Sequence, residues 1–311
     1  MEDKPLNVQI SKVVGEIKKN IKGKDDIIFE VLLAVLAGGH ILLEDIPGVG
    51  KTTLALSLSK AMSLEYKRVQ FTPDVLPSDI TGFTMYNQKS MQFEFHPGAA
   101  MCNLMLADEI NRTSPKTQSA LLEIMEEGRV TVDGVTYDVP SPFVVIATQN
   151  PFGSAGTQRL PESQMDRFMI RLSMGYPDHA AALQILREDA GEPNLQAVLN
   201  LDELSYMQQA VQAVYVDESI YEFIINFTEA TRKSESIELG LSPRGSKALL
   251  RIAKASAFAD SRNFVSVADI MKQIPPVVGH RIVLNSKAKA RDVSVEQVLK
   301  NILNEVRVPK I

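Results

Sequence analysis

The chain has 311 residues, 45% of them hydrophobic and 23% charged, a balance that excludes a mostly disordered protein. A single core stops growing near about 250–300 residues, so one large domain with a smaller companion is expected. Lys and Arg number 33 against 38 Asp and Glu, and the net charge of −5 excludes a global electrostatic pull towards nucleic acid.

In chain order, residues 25–37 predict a helix stopped by Gly38-Gly39, and 40–44 (HILLE) predict a buried strand. A helix follows at 51–64 and a strand at 67–72. Residues 73–100 are punctuated by Pro73, Pro77, Gly82, Pro97 and Gly98 and read as an insertion carrying a short hairpin. Residues 103–108, 143–149 and 168–174 predict three more strands. Two alternating runs around Asp133-Gly134 predict a hairpin over 129–139. Apolar strands separated by helices indicate a parallel sheet covered on both faces. After Tyr176-Pro177 the pattern turns helical, over 178–190, 202–214, 217–234, 242–260 and 266–273, with no further strand. The expected division is 1–176 for an α/β core and 177–311 for an all-α domain.

Cys102 is the single cysteine, so neither an internal disulfide nor a multi-cysteine zinc site can form. Its apolar surroundings predict a buried, inert thiol. The four histidines lack metal-ligand spacing and read as structural. The N-terminus lacks the apolar core of a signal peptide, and no apolar run is long enough to span a bilayer. A reducing cytoplasm is the expected location, with no membrane partner.

The strand HILLE runs into Asp45-Ile46-Pro47-Gly48-Val49-Gly50-Lys51-Thr52-Thr53 and then a helix, the context of a phosphate-binding loop. Gly48 and Gly50 permit backbone conformations that a Cβ obstructs, and the N–H groups opening the helix cradle an anion. Lys51 is placed to reach β- and γ-phosphates, and Thr52 to offer its hydroxyl to Mg²⁺. Asp45 stands where the general pattern has glycine. Asp108 and Glu109 close the strand NLMLA: Asp108 is the expected Mg²⁺ holder, largely through water, and Glu109 the general base for an attacking water. Asn150 ends the next strand, where a neutral amide can hold that water or touch the γ-phosphate; an Asn-Pro turn start is the alternative.

The runs LLEDIPGVGKTT, LMLADEINRTSPKTQSALLEIMEEGRVTVDG, VIATQNP, LPESQMDRF and LGLSPRGSKALL together resemble the MoxR family of AAA+ ATPases over nearly the whole chain. The resemblance implies an αβα P-loop domain followed by a helical lid, with ATP and Mg²⁺ as cofactors. It implies that Asn150 is sensor 1, Arg167 an arginine finger and Arg244 sensor 2. It makes 73–100 the helix-2 insertion and 129–139 the pre-sensor-1 hairpin. Gly23 and Lys24 become backbone contacts to adenine. Where relatives usually carry Ala, this chain has Leu241 and Gly245, while Arg244 is kept. Arg167 begins the fifth strand, so it points away from its own phosphate loop and can act only in trans, whereas Arg244 would report the γ-phosphate to the lid. Arg112 and Lys116 face a neighbour or pore, or are solvated; Glu123, Glu126, Glu127 and Arg129 read as a solvated face. The family implies a homo-oligomeric ring, of six subunits, and a protein client, in some cases with a von Willebrand factor A domain. The expected function is therefore ATP-driven remodelling or maturation of a protein partner, chaperone-like. A chelatase-type subunit driving metal insertion is the nearest alternative. A nucleic-acid motor fits less well, because the 129–139 hairpin carries one Arg and two Asp where a phosphate-gripping loop should be basic. A non-hydrolysing switch conflicts with Glu109.

Overall fold

A computed structural model describes residues 4–150, 160–187 and 194–309 of the chain. Two helices come first, α1 (Lys4–Ile17) and α2 (Asp25–Leu36), then β1 (Ile41–Glu44), α3 (Lys51–Ala61) and β2 (Tyr66–Gln70). The insertion holds α4 (Pro77–Thr81) and the antiparallel hairpin β3 (Gly82–Asn87) and β4 (Gln92–Pro97). There follow β5 (Leu104–Asp108), a 3-10 turn at Ile110–Arg112, α5 (Pro115–Glu127), the hairpin β6 (Arg129–Val132) and β7 (Val135–Asp138), β8 (Val144–Gln149), α6 (Glu162–Met165) and β9 (Ile170–Leu172). The remainder comprises α7 (His179–Arg187), α8 (Leu201–Gln212), α9 (Glu218–Lys233), β10 (Ile237–Leu239), α10 (Pro243–Ala259), α11 (Val267–Val278), β11 (Val283–Leu284), α12 (Ser286–Ala290) and α13 (Val295–Glu305).

The central sheet is parallel, in the order β2-β5-β8-β1-β9. Its three inner strands, β5, β8 and β1, are apolar over most of their length because both faces are covered, while the edge strand β2 (YKRVQ) has no fully buried residue. Alternation divides them between two cores. Ile41, Leu43, Leu104, Leu106, Ile146 and Ile170 pack with α1–α3, in a core continuous with the lid helices. Leu42, Met105, Ala107, Val145 and Ala147 pack with α5 and the insertion. One sheet face is thus fused to the lid, which ties lid position to strand position.

Both hairpins form as expected and clasp one another: Phe95 stacks on Tyr137 at 3.9 Å between ring centroids, and the Thr84 hydroxyl donates to Asp133. The second part is helical apart from a short ladder, β10 against β11, which the sequence pattern did not announce because each strand has only two or three residues. Helix α11 runs past 273 through Pro275 and Pro276. The proline nitrogens cannot donate to the carbonyls of Met271 and Lys272, and the helix ends two residues after Pro276. The helix expected to reach 190 is described only to Arg187. No described helix is long and apolar enough to cross a membrane.

Candidate functional site

In a parallel sheet all strands end at the same edge, and here the carboxyl ends of β1, β5 and β8 bound a cleft of about 360 Å³. It gathers Pro47, Gly48, Gly50, Lys51, Thr52 and Thr53 from the loop and the start of α3. From neighbouring strand ends come Asp108, Glu109 and Asn150, together with three residues not anticipated: Arg68, Thr148 and Gln149. Gly50 caps α3 at φ +96° and Gly48 sits at φ +83°, both in the left-handed region where a side chain is strained. The unpaired N–H groups of the first turn of α3 open here. Val49 instead packs against the core.

Asp45 has a structural role that explains its presence where a glycine was expected. It is buried and accepts hydrogen bonds from the amides of Ile46 (3.0 Å), Gly175 (2.8 Å) and Met174, and from Ser173 Oγ (3.2 Å). The carboxylate thereby fastens the phosphate loop to the chain leaving β9. Lys51 Nζ lies over the same loop, donating to the carbonyls of Asp45 (2.7 Å) and Ile46 (3.1 Å). Burial pushes its pKa down, against the opposing pull of Asp45, Asp108 and Glu109. An arriving anion offers this ammonium a stronger acceptor than a carbonyl.

The two acids are held separately. Asp108 Oδ1 accepts from Thr148 Oγ1 (2.6 Å), and Oδ2 from Arg68 Nη2 (2.7 Å). The Thr148 oxygen also accepts from the Glu109 amide at 2.9 Å. Glu109 adopts φ +57°, a left-handed conformation that costs a non-glycine residue energy and turns its carboxylate along the strand edge. There Glu109 Oε2 accepts from Gln70 Nε2 (2.8 Å) and Arg112 Nη1 (2.6 Å). Arg112 thus pairs with the acid while its side chain stays 41% exposed. Gln70 is in β-register with Asp108, so strand pairing, invisible in a single sequence, creates this contact. Thr52 and Asp108 line the cleft together, and their hard oxygen donors suit Mg²⁺.

Gly23 and Lys24 do not line this cleft. Gly23 (φ +67°) packs so closely on Ala181 that a Cβ would come within 2.8 Å of that methyl, and Lys24 Nζ donates to the Tyr176 carbonyl at 2.8 Å. Ile21 and Met174, not anticipated, are the apolar side chains flanking Gly50.

Arg167 and Arg244 lie at the opposite edge of the sheet. Ile170 pairs with Ile41, the first residue of β1, and the Met169 amide donates to the His40 carbonyl. About 13 Å of strand separates that edge from the phosphate loop, at roughly 3.3 Å per residue. The two arginines meet at Glu126, in the last turn of α5. Arg167 Nε lies 3.2 Å from Glu126 Oε2, and Arg244 Nη2 pairs with Oε1. Glu126 is exposed, as expected of a solvated face, yet it pairs with both arginines, and Arg244 does not overlook its own phosphate loop. A cleft of about 250 Å³ lies among them, with Lys247, Arg251 and Asp166 in its walls.

This end of the sheet is braced by buried groups. Arg281 donates to Asp166 Oδ1 (2.7 Å) and to the Phe168 (2.6 Å) and Met169 (3.1 Å) carbonyls, and Ser242 Oγ donates to Asp166 Oδ2 (2.8 Å). The lid therefore grips the segment that carries Arg167. His40 bridges α5 and β8: its Nε2 lies 2.8 Å from the Met125 carbonyl and its Nδ1 accepts from the Val145 amide at 3.0 Å. Burial pushes its pKa down to about 4, and burial also holds His280 well below the ordinary histidine range. Both rings are neutral structural groups. Cys102 is buried, with its thiol pushed up to about 11 by desolvation, which leaves it unreactive.

Comparison with known proteins accords with this geometry. The family model described as the ATPase family associated with various cellular activities (AAA) matches residues 40–170, and an AAA lid domain model matches 229–302. An uncharacterized protein YeaC of Bacillus subtilis is 47% identical over 98% of this chain and 96% of its own length. Chaperone MoxR1 of Mycobacterium tuberculosis is 35% identical over 97% of this chain and 83% of its own. A crystal structure of a candidate ATPase from Cytophaga hutchinsonii superposes with a TM-score of 0.92 at 36% identity, covering 99% of this chain and 97% of that one. A phosphate loop, an acidic strand end and a lid-borne arginine on this sheet order, matched along their whole length by such relatives, have one reading: the chain belongs to the MoxR family of AAA+ ATPases.

Proposed function

We propose that this chain binds ATP with Mg²⁺ at the carboxyl edge of its sheet and hydrolyses it at the junction between subunits of a homo-oligomeric ring, using the turnover to remodel a protein partner. The observation that carries the reading is the separation of two charged clefts onto opposite edges of one sheet. The phosphate loop and Glu109 lie at one edge, Arg167 and Arg244 at the other, too far apart to serve one nucleotide within a subunit. A ring places the second edge of each subunit against the first edge of the next.

In this arrangement the α3 amides and Lys51 bind the phosphates, and Thr52 and Asp108 would hold Mg²⁺, which would offset phosphate charge. Glu109, released from Gln70 and Arg112, takes a proton from the attacking water while Asn150 orients it. The neighbour's Arg167 and Arg244 offset the charge that develops on the γ-phosphate. Both arginines are braced through Asp166 and Arg281, so their engagement is coupled to lid position.

A protein client is supported by the hairpin β3–β4. Phe83, Met85, Met91 and Phe93 stand exposed on it, an apolar surface suited to polypeptide rather than to phosphates. Measuring ATP turnover per subunit against protein concentration tests the proposal. A rate that rises steeply as subunits assemble is expected; a flat, negligible rate at assembling concentrations would refute it. Capture of a client by Glu109→Gln with ATP, absent without nucleotide, tests the remodelling step.

A further inference from the structure

The cleft at the amino edge of the sheet has more cationic donors than its own carboxylates satisfy. Arg167 Nε is 3.2 Å from Glu126, yet its buried N–H is aligned with no acceptor. Lys247 lies one turn beyond Arg244 on the same face of α10, in the wall of the same cleft, and has no ion-pair or hydrogen-bond partner among the described residues. The two carboxylates present differ sharply. Asp166 is fixed by Arg281 and Ser242 and is 19% exposed. Glu126 is 38% exposed, has the two arginines as its polar partners among the described residues, and stands in the last turn of α5, where the helix dipole disfavours an acid. Glu126 and Arg167 also form the wall between this cleft and an open hollow of about 530 Å³ lined by Glu123, Arg129, Thr131 and Thr136. The movable carboxylate therefore stands between bulk solvent and the cationic cleft.

We propose that Glu126 is an intramolecular stand-in for phosphate, clasping Arg167 and Arg244 until the terminal phosphate of a nucleoside triphosphate on a neighbouring copy displaces it, with Lys247 as the third cation of the completed site. The inference rests on the trans reading above and adds two positioning groups to it. Displacement exchanges one carboxylate for a more highly charged phosphate, brings Lys247 into use, and gives Arg167 Nε the acceptor it lacks. The carboxylate makes the unassembled subunit resist assembly, since two ion pairs must break before a neighbour can dock.

The test uses the full chain with ATP and Mg²⁺, scoring turnover per subunit against protein concentration and, separately, the affinity of dilute protein for a fluorescent ATP analogue. Glu126→Gln is expected to move half-maximal turnover to a protein concentration about three- to tenfold lower, the equivalent of one or two exposed ion pairs. Its analogue affinity when dilute should match that of the parent, because Glu126 lies far from its own phosphate loop. Glu126→Ala should do the same, since charge rather than shape is at issue. Lys247→Ala is expected to lower the maximal rate about tenfold, again with unchanged dilute affinity. An unchanged or higher half-maximal concentration in both Glu126 variants, with Arg167→Ala inactive, overturns the inference alone. Full turnover by Arg167→Ala at assembling concentrations overturns the proposed function and the inference with it.

Discussion

The two clefts occupy opposite ends of the same five strands and are built in opposite ways. At the carboxyl edge one continuous stretch, 45–53, supplies the whole cradle, and two strand ends complete it. At the amino edge the side chains come from four places in the chain: Glu126 from α5, Arg167 from the turn before β9, Arg244 and Lys247 from α10, and Arg281 from beyond α11. The first cleft is held by backbone conformation together with the pairs Arg68–Asp108 and Arg112–Glu109, and the second mainly by ion pairs. A cradle built from one contiguous stretch is preformed by the chain's own backbone, whereas the amino-edge cleft is assembled from parts distant in sequence, some of them on the lid. Local backbone geometry thus builds the one cleft and through-space charge pairing the other.

The comparison breaks most decisively at Arg167. Arg167→Ala should lower turnover about 10³–10⁵-fold, the range for an arginine finger, while leaving nucleotide binding by dilute protein unchanged. Loss of binding instead would place Arg167 in its own subunit's site. At the other edge, Glu109→Gln should reduce turnover about 10²–10⁴-fold with ATP affinity retained, measured by single-turnover hydrolysis beside equilibrium binding. Equal loss from both variants in mixed rings, where each subunit carries only one of the changes, would refute the division of labour.

Acid should loosen the amino edge. His40 titrates near 4 when folded and near 6.5 when unfolded, so folding favours its neutral form. That contribution is complete above about pH 6.5 and is lost as pH falls towards 4, a difference of about 3 kcal/mol. Denaturation midpoints at pH 7 and 4.5 should therefore differ more for the parent than for His40→Gln; an identical acid dependence would remove His40 as the cause. Smallest is Thr148→Val. It deletes the hydroxyl shared by Asp108 and the Glu109 amide and should slow turnover about tenfold, through a loss of about 1.5 kcal/mol. Unchanged kinetics would show that strand geometry alone positions the acids.

The carboxyl-edge cleft was largely legible because its residues are contiguous or sit at the ends of apolar strands. Gly48, Gly50, Lys51, Thr52, Asp108, Glu109 and Asn150 all meet where the sequence pattern put them. Arg68, Gln70 and Thr148 were not seen, since their contacts to Asp108 and Glu109 depend on strand register. Arg167 and Arg244 were visible as arginines of a known pattern, but not as a pair meeting at Glu126. Gly23 and Lys24 were placed at the adenine by resemblance; they lie outside the phosphate cleft, against 176–181. The β10–β11 ladder escaped because strands of two or three residues have no period to read.

Sequence by itself determined the parallel sheet, the helical second part and the phosphate loop, because apolar periodicity and glycine placement are local properties of the chain. Only the tertiary structure decided that Asp45 fastens the loop, that Gln70 and Arg112 hold Glu109, and that Glu126 sits between two arginines. Such contacts join residues as far as 130 positions apart, as Asp45 and Gly175 are, and a through-space pairing leaves no pattern along the chain.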